Sequence, residues 1–415
     1  MIAEIITIGD EILIGQVVDT NSAWMGRKLN DAGIRVNRIT SISDDSREIL
    51  GALRDAATRA DMILITGGLG PTRDDVTKKT LAEYFGAGMR RDAETLEQVK
   101  RIFARYDTPL LDVNIAQADV PDNCTVLVNR NGTAPGMWFE ADGRIYVSMP
   151  GVPFEMQYLM EEEVIPRITE RFRLPALVHR TILTAGLGES FLASRIEAVE
   201  DALPAHIRLA YLPKLGQVRL RLSATGADRG SLSREVDEWA ERIIAIIREY
   251  VIAEDDIPFE EVILDFMKQR NLTLTLAESC TGGYLSHLFT QVPGASAVYL
   301  GGTVSYANEL KQQILGVSEE TLRVHGAVSE QTAIEMAQGA QKNLGSDYAV
   351  SVTGIAGPGG GTPDKPVGTV WMAAASASKT VTRLYQFGNR RAQNIERSAT
   401  SAMLLLLNLL KEEHG

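Results

Sequence analysis

A chain of 415 residues is too long for one ordinary hydrophobic core and points to roughly two to four domains. With 45% hydrophobic and 23% charged residues and no low-complexity tract, the composition excludes an unfolded or fibrous chain. A formal net charge of -12 repels nucleic acid and anionic membrane overall, which leaves small molecules or a second subunit as the expected partners. Cys124 and Cys280 are the only cysteines; their wide separation makes no metal-ligand spacing and fits a reducing, cytoplasmic setting.

The first stretch, "MIAEIITIGDE", meets an acid at position 4, which suits neither a basic leader nor a long apolar signal core. From there to residue 170 strand and helix patterns alternate. "EIITIG" is a short apolar run, "SAWMGRKLNDAG" has helical spacing and ends on Gly33, and "DMILITGG" is a buried-strand run that leads through a glycine turn to the helix "VTKKTLAEYF". That order predicts a parallel sheet covered by helices on both faces, with ligands at the carboxyl ends of the strands. Asp10, Glu11, Gly67, Gly68, Gly70, Asp74 and Asp75 should converge there. Glycines admit a phosphate to the backbone, and paired carboxylates hold a hard divalent cation against phosphate oxygens. The alternative is that Asp74 and Asp75 only cap a helix and Asp10-Glu11 begins another.

Residues 171–255 read as a small α+β module. In "QVRLRLS" Val218, Leu220 and Leu222 alternate with Arg219 and Arg221, and a following helix puts Val236, Trp239, Ile243 and Ile247 on one stripe. Residues 256–415 return to strand-helix alternation, from "LTLTLAE" through "GGTVSYA", "YAVSVTG" and "TVWMAAAS" to a long terminal helix. Within it "AMLLLLNLL" is too short to span a bilayer and reads as a buried helix. No internal repeat joins the two α/β parts, and no membrane partner is expected.

The chemistry-bearing stretch is "LTLAESCTGGYLSHLF". Its strand delivers Glu278, Ser279 and Cys280 to a carboxyl end, and Gly282-Gly283 turns the chain into a helix whose free N–H groups suit a developing oxyanion. Histidine is the ordinary base, yet only His287 lies near this turn. The next strand-to-helix junction, "VSYANELKQQ", offers Tyr306, Asn308 and Lys311, and a desolvated lysine can take a serine's proton at neutral pH. Taken alone, a Ser-Cys-Thr-Gly-Gly turn is more often a helix cap than an active site and a lysine at a helix start is usually a solvated surface residue, with Cys280 a small buried neighbour. A third loop, "TGIAGPGGGTPDKPVG", packs six glycines into residues 354–368 and suits a phosphate or ribose. It lacks the Gly-Lys-Ser/Thr of a P-loop. Arg390, Arg391 and Arg397 are candidate phosphate partners.

"AESCTGG", "YANELKQQILGV", "VTGIAGPGGGTPDKPVGTVW" and "FGNRRAQNIERSA" closely resemble the C-terminal domain of the CinA family (competence/damage-inducible protein A), whose members include nicotinamide-nucleotide amidases. The resemblance implies that Ser279 attacks the carboxamide of nicotinamide mononucleotide, with Lys311 and Tyr306 as base and proton relay. Ammonia leaves, and water then releases nicotinate mononucleotide, without a cofactor. Thr281, Gly282, Gly283, Asn308, Gly354, Ala356 and Gly357 would surround the substrate, with its phosphate on Arg390, Arg391 or Arg397. Many relatives show Gly-Asp-Arg where this chain has Gly388-Asn389-Arg390-Arg391, so the choice of arginine stays open.

The motifs at residues 7–21 and 66–75, with "NGTAPGMW" and "MPGVPFEM", resemble the N-terminal CinA domain, related to molybdopterin-binding proteins. They imply an α/β multidomain fold and an ADP-ribose pyrophosphatase that yields AMP and ribose 5-phosphate. Asn21, Gly67, Gly68 and Gly70 would face ADP-ribose, and Asp10, Glu11, Asp74 and Asp75 a divalent metal (Mg, Mn or Co), with potassium as an associated activator. The family places a KH-like domain between the two. Residues 171–255 lack two glycines at GXXG spacing and carry twelve basic and twelve acidic residues, so the module reads as a spacer or dimer-forming element rather than a nucleic-acid clamp. A homodimer is expected. The competing reading is a competence- or damage-associated binding protein for nucleotides or nucleic acid, with one or both catalytic sites inactive.

Overall fold

The structure, a computed structural model, describes residues 1–72, 75–105 and 109–415. The chain divides into two compact units, Met1–Val178 with Thr225–Leu232, and His179–Ala224 with Ser233–Gly415.

The first unit is built on a six-stranded sheet in the order Arg35–Ile42, Ile2–Ile8, Met62–Thr66, Arg144–Met149, Gly136–Ala141, Thr125–Leu127. The first four strands run parallel. The last two are antiparallel, so the expected all-parallel sheet carries an antiparallel edge. Side chains on successive residues of Met62–Thr66 point to opposite faces, and two separate cores result. Met62 and Leu64 pack with Met25, Leu29, Met156 and Leu159. Ile63 and Ile65 pack with Ile49, Leu53 and Leu81. Both faces are therefore covered by helix, and the five residues of this strand are all buried. Complete burial of each such side chain contributes about 1.5–3 kcal/mol, which is why its sequence is apolar without alternation.

Glu4, the acid in the first strand, is 2% exposed. Its carboxylate accepts a forked pair of bonds from Arg59, Nε to Oε1 at 2.9 Å and Nη2 to Oε2 at 3.0 Å. That pairing holds the Glu4 carboxyl below its ordinary range and makes burial of the charge tolerable.

The second unit holds two sheets. The smaller has the strand order Ile207–Lys214, Gln217–Gly226, Ala176–Ala185, Val251–Ala253, with Val218, Leu220 and Leu222 buried as their alternation predicts. Val236, Ile243 and Ile247 of the helix Arg229–Ile247 are fully buried; Arg242 covers the ring of Trp239 instead, 4.2 Å from its centroid.

The larger sheet runs Tyr299–Val304, Leu274–Glu278, Tyr348–Gly354, Thr369–Ala375, Thr380–Gln386. The first three strands are parallel and the last two antiparallel. Leu274, Leu276, Val350 and Val352 share one core with Phe259, Ile263 and the terminal helix Arg391–His414, and Leu183, Ala185 and Ile252 of the smaller sheet join it. On the opposite face Ala333, Ala337, Ala373 and Ala375 pack together; their small side chains let the helix Glu330–Leu344 lie close to the strands. Leu406, Leu407, Leu409 and Leu410 are buried, as the reading of "AMLLLLNLL" requires. Among the described residues no helix is long and apolar enough to cross a membrane.

Candidate functional site

Three parallel strands end at one place in the second unit, and each contributes to a cleft of about 270 Å³. Ser279 follows Leu274–Glu278 directly, and its backbone N–H donates to the Val352 carbonyl of the neighbouring strand at 2.9 Å. Gly283 then adopts φ +96, a left-handed conformation that glycine takes without the Cβ penalty, and the helix Tyr284–Thr290 begins. The Glu278 carboxylate folds back over this start. It accepts from the N–H groups of Gly283 at 3.0 Å, Leu285 at 3.1 Å and Ser286 at 2.8 Å, and from the Ser286 hydroxyl at 2.6 Å. The expectation that these helix-start N–H groups await an oxyanion is thereby corrected: a buried side chain of this chain already satisfies three of them, and what it fixes is the Ser279 turn.

Lys311 lies in the helix Asn308–Leu315, after the neighbouring strand. Its side chain is 1% exposed. Nζ lies 3.1 Å from Ser279 Oγ and donates to the carbonyls of Ser305 at 2.6 Å and Tyr306 at 3.3 Å. Burial pushes the ammonium pKa below the ordinary lysine range, and no carboxylate among the described residues forms an ion pair with it. A neutral amine has two hydrogens and one lone pair. With the hydrogens on the two carbonyls, the lone pair is left for the Ser279 hydroxyl. The neighbouring Cys280 is buried, and desolvation raises its thiol to about 12, which removes it as a thiolate nucleophile at neutral pH.

Tyr306 is 61% exposed at the cleft mouth. Arg391, the first residue of the terminal helix, donates from Nη2 to the Tyr306 hydroxyl at 3.2 Å and from Nη1 to the Gly357 carbonyl at 3.0 Å. Gly354, Ala356 and Gly357 line the same cleft. Asn394 stitches their loop to the next turn through Nδ2, which donates to Ala356 at 2.9 Å and Gly388 at 2.8 Å. Thr281 Oγ1 and Asn394 Oδ1 are buried without a hydrogen-bond partner, and such orphans mark places where a water or ligand is to be expected. Thr281, Gly282, Gly283, Asn308, Arg390 and Arg397 do not line this cleft; Arg397 lines a separate cavity of the same unit. Asn394 carried no sequence signal of its own, although the glycine-loop motif marked the segment it anchors.

In the first unit Glu11, Gly67, Gly68, Gly70 and Asp75 line one cavity of about 370 Å³ at the carboxyl ends of the parallel strands. Two acids that the sequence did not single out, Asp44 and Glu155, join them. Burial first, then the nearby charges of Glu11, Asp10 and Asp75, pushes the Asp44 carboxyl up. Burial also raises Glu155, against a hydrogen bond from Asn129 Nδ2 at 2.6 Å. Asp10 lies outside the cavity lining, and its N–H donates to Asp44 Oδ2 at 3.2 Å. Asp75 accepts from the N–H groups of Gly70 at 2.7 Å and Thr72 at 2.8 Å and from the Thr72 hydroxyl, so it folds its own loop. Asp74 lies outside the described residues. Asn21 Nδ2 donates to the Gly151 carbonyl at 2.7 Å and to Thr66 Oγ1 at 3.3 Å, tying two strand ends together beside the cavity.

Among the described residues no three His, Cys, Asp or Glu side chains are grouped to hold a metal ion. A small divalent cation commonly binds one or two carboxylates and takes its remaining ligands from water and substrate phosphates. Glu11 and Asp44, crowded by like charge at the cavity wall, fit that more modest demand.

Two α/β folds with a small α+β module between them in sequence, one presenting an acid-lined glycine cavity and the other a serine against a buried lysine, define a multidomain α/β protein with two separate candidate sites. The chain belongs to the CinA family. It is 45% identical over 99% of its length to a CinA-like protein of Cytophaga hutchinsonii, covering 98% of that protein. It is 43% identical over 98% of its length to one of Flavobacterium psychrophilum, again covering 98% of the relative. Residues 4–170 match the probable molybdopterin binding domain, residues 179–253 the damage-inducible protein CinA KH domain, and residues 256–410 the CinA C-terminal domain. A solved structure, that of competence/damage inducible protein CihA from Agrobacterium tumefaciens, is 39% identical over 36% of this chain and 92% of its own, with a TM-score of 0.36.

Proposed function

We propose that the second unit is a serine amidohydrolase acting on nicotinamide mononucleotide. The observation that carries this reading is the 3.1 Å approach of Lys311 Nζ to Ser279 Oγ in a buried setting without a countercharge. Lys311 removes the hydroxyl proton as Ser279 Oγ bonds to the carboxamide carbon. The protonated amine returns that proton to the nitrogen as the C–N bond breaks, and ammonia leaves. Water then attacks the ester carbon and gives a proton to Lys311, which passes it to Ser279 Oγ as the C–O bond breaks, freeing nicotinate mononucleotide and restoring both the serine hydroxyl and the neutral amine. Tyr306, held by Arg391, orients the proton path at the mouth. Arg391 is also the phosphate partner this geometry favours, because its guanidinium is the one among the three candidates that reaches the cleft.

We propose for the first unit hydrolysis of ADP-ribose to AMP and ribose 5-phosphate. The glycine turn at Gly67 and Gly68 supplies backbone donors for the diphosphate, and Asp75 holds that loop. Glu11 and Asp44 would hold the divalent ion, which when bound neutralises phosphate charge. The protein would act as a cytoplasmic homodimer, with the module at 179–253 serving assembly rather than nucleic-acid binding.

The deciding experiment offers purified full-length protein both substrates, with and without Mg²⁺, and measures ammonia and AMP separately. Ammonia release that persists without metal and is lost in Ser279→Ala supports the assignment. Ammonia release that needs metal while AMP formation does not would reverse the two units' roles.

A further inference from the structure

A cavity of about 560 Å³ lies apart from both clefts and within the second unit, between the smaller sheet's loops and the outer strand and terminal helix of the larger sheet. Its walls are fixed by close backbone approaches. At the hairpin tip Gly216 has φ +80, and a Cβ there would come within 2.9 Å of Thr400 Cγ2. The Thr400 hydroxyl donates to the Leu215 carbonyl at 3.3 Å. The cavity is thus built by packing rather than by a gap between loose surfaces.

Its chemistry has two parts. Lys214, Arg383 and Arg397 bring three positive charges to the lining against the single carboxylate of Glu189, in a chain whose net charge is -12. Among the described residues none of the three forms an ion pair or a side-chain hydrogen bond. Beside them Tyr385 and Phe387 stack with centroids 5.3 Å apart and planes 12° from parallel. Arg383, Tyr385 and Phe387 alternate along one strand and its extension, so cation and aromatic wall face the same side. The helix Glu189–Asp201 begins at the rim with Gly188 as its cap residue, and no side chain caps its N–H groups.

We propose that this cavity binds a nucleotide, its phosphate on Lys214, Arg383 and Arg397 and its base against the Tyr385–Phe387 stack. The volume falls in the range of small-molecule sites, about 300–1,000 Å³, and unpaired cations beside an aromatic face match a ligand that is anionic at one end and flat at the other. The site is additional to the two described above and does not depend on what either of them hydrolyses.

The test is photolabelling of the full chain with 2-azido-AMP, followed by peptide mapping. Label is expected on the segments 383–387 and 397–408, reduced at least about ten-fold by the paired change Lys214→Ser and Arg383→Ser, and displaced by AMP far better than by inorganic phosphate. Both altered side chains are exposed, so the variant should keep the wild-type unfolding midpoint, measured alongside. Label confined to the other two clefts, label on 383–387 or 397–408 that survives loss of both charges in a folded variant, or displacement by inorganic phosphate equal to that by AMP would each overturn the proposal.

Discussion

Lys311 Nζ stands 3.1 Å from Ser279 Oγ, although thirty-two residues of sequence separate them. The parallel pairing of Leu274–Glu278 with Tyr299–Val304 causes this proximity, because it brings two strand-to-helix junctions side by side. One junction supplies the hydroxyl and the other the amine. Two backbone carbonyls orient the amine, and burial keeps its proton affinity low.

A pH series on stability and rate tests that depressed affinity. Between the lowered folded pKa of Lys311 and the ordinary lysine value, about 10.4, the unfolded chain binds a proton that the folded chain does not, so stability rises with pH across that window. The contribution is complete above the unfolded value and is lost as pH falls through the folded one. Urea midpoints of Lys311→Met should lack this gain. Ammonia release by the wild type should climb over the folded titration and then level, and the variant should lose at least about 100-fold in kcat/KM. A wild-type rate that falls as pH rises from neutrality would contradict a neutral-amine base.

The adjacent thiol gives a clean control on the nucleophile. Cys280 is 5% exposed and its thiol is raised to about 12 by burial, so Cys280→Ala should release ammonia within about three-fold of wild type. Ser279→Ala should be inactive while keeping its unfolding midpoint. Iodoacetamide should leave the native protein's activity intact, whereas stoichiometric inactivation through Cys280 would move the reaction to sulfur.

Much of this site could be read in the sequence because each part sat on a local pattern: an apolar run, then a small-residue turn, then helical spacing. Ser279, Lys311 and the loop at 354–360 all follow that rule. The direction of later strands could not be read the same way. "TVWMAAAS" is equally apolar whether parallel or antiparallel, and Thr380–Gln386 is a half-exposed edge with little period-two contrast. Asp44 sits beside Asp45 in a pair that reads as a helix cap, and Glu155 within the segment "MPGVPFEM" has no acidic neighbour; only the sheet order brings them to Glu11. Glu278 was visible at its strand end, but its bonds to Gly283, Leu285 and Ser286 depend on the side chain turning back along the chain.

In the first unit the crowding of acids makes Asp44 a liability without a cation. Burial and the charges of Glu11, Asp10 and Asp75 all disfavour its ionised form. Asp44→Asn should therefore raise the thermal midpoint in chelator by about 2–4 °C, corresponding to about 1 kcal/mol. With ADP-ribose and Mg²⁺ added, the wild type should gain stability by mass action and the variant should gain little. Equal gains in the two proteins would place the ion away from Asp44.

Glu278 tests whether the serine turn needs its internal anchor. The carboxylate satisfies three backbone N–H groups and one hydroxyl in a setting 1% exposed. Glu278→Ala strands those donors beside a small void, which should cost about 2–4 kcal/mol of stability. Glu278→Gln keeps the shape and one acceptor oxygen but turns an amide N–H₂ toward donors, so it should cost about half as much. The turn that fixes Ser279 begins with this residue, so both variants should also lower kcat more than they raise KM when assayed well below their unfolding midpoints. Unchanged kcat in a folded Glu278→Ala protein would show that strand pairing alone, through the Ser279 N–H bond to Val352, holds the hydroxyl in place.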